Sequence, residues 1–240
     1  MGGFFLIRKH FGLAYALILA LAMPSAGFAA PSGQARTVLT WKNIREQLNA
    51  SAKDFHSLSA DIERTKVTLV VNDRSTETGD IFVHGDKMLL EIKAPDPRTI
   101  LRNGDNLSIY NPGLKRVEEY NLGKNRALVE QFLLLGFGTR GEELEKGYEI
   151  AVLREEKLDD HKAAVLELTP KSKAVRSQIA HIQIWLDEGT WLPAQQKFVE
   201  AGSGDYSVVR YSHVVRNAYI PDSKFKPHWP KGTQKVKPRG

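Results

Sequence analysis

The chain has 240 residues, no cysteine, and 34 basic against 28 acidic residues, a formal net charge of +6. Without cysteine there is no disulfide framework, no thiol nucleophile, no thiolate metal site and no lipid-bearing cysteine of a bacterial lipoprotein. Arg8 and Lys9 precede an apolar run, and six basic residues (Lys224, Lys226, Lys231, Lys235, Lys237, Arg239) crowd the last 17 positions. That leaves 26 basic against 28 acidic residues between them and no basic groove for nucleic acid.

The apolar run Phe11 to Met23 has the length of a secretory signal core and is short for a membrane span. With Ser25-Ala26-Gly27-Phe28-Ala29-Ala30 behind it, residues 1–29 are expected to be a signal peptide. The remainder should then be soluble in the periplasm and long enough for one domain, 37–236, with its own core.

Trp41, Ile44, Leu48, Ala52 and Phe55 recur at three- and four-residue steps, which predicts one amphipathic helix of about 18 residues. From Leu58 the period becomes two. Leu58, Ala60 and Ile62, then Val67, Leu69 and Val71, alternate with polar residues, and Asn72-Asp73-Arg74-Ser75 reads as a turn. Gly79 to His84 and Lys87 to Lys93 follow as strands, the second ending at Pro95 and Pro97. Leu107 to Tyr110 and Leu114 to Leu122 flank the turn Asn111-Pro112-Gly113. Residues 125–137 hold Leu128, Val129, Phe132, Leu133, Leu134 and Leu135 and run into Gly136, Gly138 and Gly141. The expectation is a helix more apolar than one buried face needs, placed to act as a lid. Further strands are expected over 148–157, 163–169, 179–186, 191–200 and 206–215, each bounded by turn residues such as Asp159-Asp160 or Asp187-Glu188-Gly189.

Strands at hairpin spacing without βαβ alternation imply a mainly β chain of the α+β class. The expected fold is an unclosed antiparallel β-barrel of about ten strands, with an N-terminal helix and a helical lid over an apolar cavity. Chemistry finds little purchase. None of the seven histidines (His10, His56, His84, His161, His181, His213, His228) has the spacing of a metal site, Asp159-Asp160-His161 reads as a turn, and no G-x-S-x-G elbow is present. Gly136-Phe137-Gly138-Thr139-Arg140-Gly141 lacks the preceding strand of a phosphate-binding turn. Catalytic residues, metal and cofactor are therefore expected to be none.

From Trp41 to Val236 the chain resembles the periplasmic outer-membrane lipoprotein carriers, the LolA family. The stretches that carry the resemblance are Phe55-His56-Ser57-Leu58-Ser59-Ala60, Gly79-Asp80-Ile81-Phe82-Val83, Asn103-Gly104-Asp105-Asn106-Leu107-Ser108-Ile109-Tyr110-Asn111-Pro112 and Leu166-Glu167-Leu168-Thr169-Pro170. The ending Asn217, Phe225-Lys226-Pro227 and Pro230-Lys231-Gly232 adds to them. The resemblance implies a carrier that shields lipoprotein acyl chains in an apolar cavity. It would take them from an inner-membrane ABC transporter and deliver them to an outer-membrane acceptor, working as a monomer and not as an enzyme. Where carriers of this family place an Arg-Pro pair that bonds to the lid, this chain has Val83-His84-Gly85-Asp86, which makes His84 the candidate lid contact.

Alternation on the strands, together with the apolar segment, predicts a lipid-binding cavity lined by Met88, Leu90, Ile92, Ile109, Leu128, Phe132, Leu135 and Ile184. A periplasmic lipid or lipoprotein sensor acting through a signalling partner is the alternative function. An esterase would need a triad that the sequence does not display.

Overall fold

A computed structural model describes residues 39–123 and 135–237. The first helix, α1 (Trp41–Ala52), starts where the Thr40 side chain accepts from the Asn43 amide, and it buries Ile44 and Leu48. It is 12 residues long rather than about 18, because the chain leaves the helix at Lys53 and is held in a new direction. Asn217 donates to the Asp54 carbonyl at 2.7 Å and accepts from the His56 amide at 2.9 Å, so these bonds tie the helix exit to the end of a distant strand.

Twelve strands follow among the described residues: β1 (Ser57–Thr68), β2 (Asp73–His84), β3 (Lys87–Ala94), β4 (Arg98–Asn103), β5 (Asn106–Asn111), β6 (Arg116–Asn121), β7 (Tyr148–Leu158), β8 (His161–Pro170), β9 (Ile179–Asp187), β10 (Pro193–Glu200), β11 (Tyr206–Arg216) and β12 (Gln234–Val236). They form one sheet in the order β12-β6-β5-β4-β3-β2-β1-β11-β10-β9-β8-β7. All neighbours are antiparallel except β12, which runs parallel to β6.

The expected count of about ten strands is thus corrected to twelve. The additions are β4, whose Arg98-Thr99-Ile100-Leu101-Arg102-Asn103 is flanked by charge on both sides, and β12, a three-residue strand inside the basic tail. The turn expected at Asn72 to Ser75 is also shifted. Asp73 to Ser75 already pair in β2, so the chain reverses through Leu69 to Asn72, where Leu69, Val70 and Val71 are exposed. Between β6 and β7 the described residues contain a helix that the pattern did not predict, α2 (Gly141–Gly147). Leu135, Gly136 and Phe137, expected to end a helix, form a turn instead. Residues 124–134, which include the rest of the predicted lid (125–134), lie outside the described residues. The short helix α3 (Lys173–Arg176) links β8 to β9.

Antiparallel partners place their side chains on the same face of a sheet, and the register identifies an inner face covered by α1. There Ile44 and Leu48 pack with Leu166, Leu168, Ile182, Ile184 and Leu135. A second cluster continues along the same face with Leu58, Ala60, Ile62, Ile81, Val83, Met88, Ile92, Phe137 and Leu192. The outer face of β2–β4 is covered by the C-terminal segment. Phe225, in a 3-10 turn at Asp222–Phe225, packs with Leu89, Leu101 and Ile220, and its carbonyl accepts from Asn103 at 2.9 Å. Among the described residues no helix is long and apolar enough to cross a membrane.

Candidate functional site

Following the inner face from strand to strand places Ile62 on β1, Ile81 on β2, Leu90 and Ile92 on β3, Ile100 on β4, Val209 and Tyr211 on β11, and Gln196 and Phe198 on β10. The pairs Gln196↔Val209, Ile62↔Tyr211, Ala60↔Ile81, Ile81↔Leu90 and Leu90↔Ile100 set these strands side by side with those residues on one face. These side chains, with Met88 and Ile179, line a cavity of about 340 Å³. Its apolar bed grades from Met88 and Ile92, which are buried, to Leu90, Ile100, Val209 and Phe198, which are half-buried and hence available to a ligand.

One end of the cavity is closed by a hydrogen-bonded chain. Gln196, 2% exposed, donates to the Leu135 carbonyl at 2.6 Å and accepts from the Tyr211 hydroxyl at 2.8 Å. Burial raises the pKa of the Tyr211 phenol, which keeps it a protonated donor. The Phe137 ring meets the Tyr211 ring edge-on, with centroids 4.9 Å apart. The segment Leu135 to Gly138 is thereby seated against the cavity, and its conformation depends on glycine. Gly136 and Gly138 have φ of +83° and +64°. A Cβ on Gly138 would lie 2.3 Å from the Phe55 ring, and one on Gly136 would lie 2.7 Å from Ile184 Cδ1.

The other end is charged. Arg64, Lys66 and Arg98 line it together with Glu200. Arg98 forms a two-pronged pair with Glu77, both N···O distances being 2.8 Å, and that hydrogen bond holds the Glu77 carboxyl below its ordinary value. Lys66 lies 3.5 Å from Glu200.

Of the residues predicted to line the cavity, Met88, Leu90 and Ile92 do so. Ile109 pairs with Ile100 one strand further out and is half-buried. Ile184 and Leu135 do not line the cavity: both are buried in the cluster beneath α1, Ile184 as the cross-strand partner of Gln196 and Leu135 through the carbonyl that accepts from Gln196. Leu128 and Phe132 lie outside the described residues. His84 is on the opposite, outer face of β2, where its ring centroid is 6.4 Å from that of Phe225. Sequence reasoning missed Arg64, Lys66, Arg98, Gln196 and Tyr211. The alternation Leu58, Ala60, Ile62, continued in phase, would have turned Arg64 and Lys66 inward.

The model of the family described as outer membrane lipoprotein carrier protein LolA matches residues 55–228, well over half of the chain. The chain belongs to the LolA family. No curated protein matches it. Among solved structures, an uncharacterized conserved protein from Thermus thermophilus superposes with a TM-score of 0.55 at 9% identity, over 82% of this chain and 98% of that one. A LolA superfamily protein from Nitrosomonas europaea, 18% identical, covers 79% and 98% with a TM-score of 0.42. The lipoprotein LppX of Mycobacterium tuberculosis, 12% identical, covers 75% and 97% with a TM-score of 0.45. At these identities the Thermus likeness speaks for the fold alone.

Proposed function

We propose that this LolA-family protein is a periplasmic carrier that shields the acyl chains of lipoproteins and moves them from the inner to the outer membrane. In this reading it receives them from an ABC transporter and gives them to an outer-membrane acceptor. The observation that carries the reading is the 340 Å³ apolar cavity on the inner face, bordered by the glycine-hinged segment 135–138. A methylene takes about the volume of a liquid water, ~30 Å³, so the cavity holds about eleven methylenes. At ~0.8 kcal/mol each, that burial offsets roughly 9 kcal/mol of exposure to water. A bilayer offers the same gain per methylene, so exchange between carrier and membrane is close to balanced. A modest difference in affinity between donor, carrier and acceptor then sets the direction, and neither catalysis nor a cofactor is required. Purified protein added to spheroplasts should bring a newly made lipoprotein into the soluble fraction. Retention of all lipoprotein on the membrane, with folded carrier present, rules the proposal out.

A further inference from the structure

The charged end of the cavity has no counterpart in the acyl groups of a lipoprotein, which are joined by neutral ester and amide bonds. Three cations, Arg64, Lys66 and Arg98, line it with one carboxylate, Glu200. A fifth group, Glu77, stands opposite Arg64 across the β1–β2 ladder, yet it is already engaged. Glu77 Oε2 accepts from Arg98 at 2.8 Å, and the same oxygen is 3.6 Å from Arg64 Nε, too far for a hydrogen bond. Arg64 Nε is buried from solvent and has no hydrogen-bond partner among the described residues. The Arg64 side chain as a whole is about two-fifths exposed, and it lines the same cavity as the apolar bed. Lys66 keeps only a 3.5 Å contact to Glu200, with both side chains about two-fifths exposed.

We propose that this end of the cavity is a head-group site, and that the cavity takes an acyl chain terminating in an anion, either a carboxylate or a phosphate monoester. The inference rests on the reading of the cavity as an acyl-chain site and names what sits at the chain's end. The chain lies on Ile81, Leu90, Ile100 and Val209, and the anionic head meets the partly exposed side chains of Arg64 and Lys66 while Glu77 holds Arg98 in place. Charge-assisted bonds of this kind are roughly twice as strong as neutral ones, and the half-enclosed setting screens them less than bulk water does.

The test is isothermal titration of the mature protein with four twelve-carbon amphiphiles below their micelle concentrations: dodecanoate, dodecyl phosphate, 1-monododecanoylglycerol and dodecyltrimethylammonium. Both anions should bind about ten-fold or more tightly than the neutral glycerol ester, and the cation more weakly still. In the double variant R64Q/K66Q the anions should fall to within about two-fold of the ester, while the ester's own affinity stays put. K66Q alone, at a partly exposed position, should show the same trend if the double variant does not fold. The ratio of phosphate to carboxylate affinity tells which anion the site is built for. Equal binding of ester and anions, or an equal loss for all four ligands in the variants, overturns the head-group site and leaves the acyl-chain cavity standing. Failure of all four to bind overturns the acyl-chain reading itself.

Discussion

Gln196 and Leu135 are 61 positions apart in sequence and joined by a 2.6 Å hydrogen bond from a buried side-chain amide to a main-chain carbonyl. The bond ties a strand of the cavity wall to the segment that borders the cavity. Replacing Gln196 by Leu removes the donor and strands both the Leu135 carbonyl and the Tyr211 hydroxyl. The Q196L protein should lose about 1–3 kcal/mol of stability by urea denaturation. It should also exchange the backbone amides around Gly136 faster, a change visible by hydrogen–deuterium exchange.

Gly138 combines a φ of +64° with the Phe55 ring in the place of its Cβ. G138A should cost about 1–3 kcal/mol, because the strained backbone and the displaced ring add. The double variant G138A/F55A should fare better than the sum of the two single changes, which a double-mutant cycle of melting curves measures.

Leu90 is half-buried in the middle of the cavity bed. An indole there fills the space in which the proposed acyl chain would lie. L90W should weaken dodecanoate binding about ten-fold or more by titration calorimetry, while stability changes by less than about 1 kcal/mol because the new ring enters an existing void. Unchanged binding would show that the chain does not lie on β3.

Glu77 is held below its ordinary value of 4.5 first by its hydrogen bond to Arg98, against the opposing cost of burial. A carboxyl whose native pKa is lowered adds stability that is fully present above its unfolded value and is lost as pH falls through the lowered native one. Wild type should therefore be more stable than E77Q at pH 7, and the gap should close as the pH is taken below about 4.5. Urea midpoints measured across that range check the sign.

Tyr148 is 2% exposed, its hydroxyl is buried without a hydrogen-bond partner among the described residues, and burial pushes its pKa up to about 12. The hydroxyl is a cost carried by the fold, so Y148F should gain up to about 1 kcal/mol. Calorimetric melting of the two proteins decides it.

The strand pattern was legible wherever an apolar side chain occupied every second position. Met88, Leu90 and Ile92 could be assigned to one face from the sequence, and they line the cavity. What stayed illegible has physical causes. In β4 the inner positions are Arg98, Ile100 and Arg102, so a strand with charge at both ends of its buried face reads as a loop. Arg102 is wholly buried, its Nε donating to the Gly104 carbonyl at 2.9 Å. The reversal at Leu69 to Asn72 puts its apolar residues in solvent, against the rule that locates strands. The chain just past helix α1 is held by Asn217, a residue 165 positions beyond Ala52. Distances of that kind leave no local trace in composition or period. For the same reason Gln196, a polar residue, gave no sign that it would be buried in the wall.

Among the described residues the two ends of the twelve-strand sheet, β7 and β12, have no ladder between them. In a closed barrel, strand number and shear fix the radius, and widening the lumen means breaking a seam of hydrogen bonds. Here the girth is an adjustable quantity. Spreading or tightening the curl leaves every ladder intact and repacks only the side chains on the concave face. For an acyl cargo of the kind proposed above, a thicker chain would be met by a shallower arc, so discrimination by cross-section would be weak and selection would fall to whatever the chain ends present.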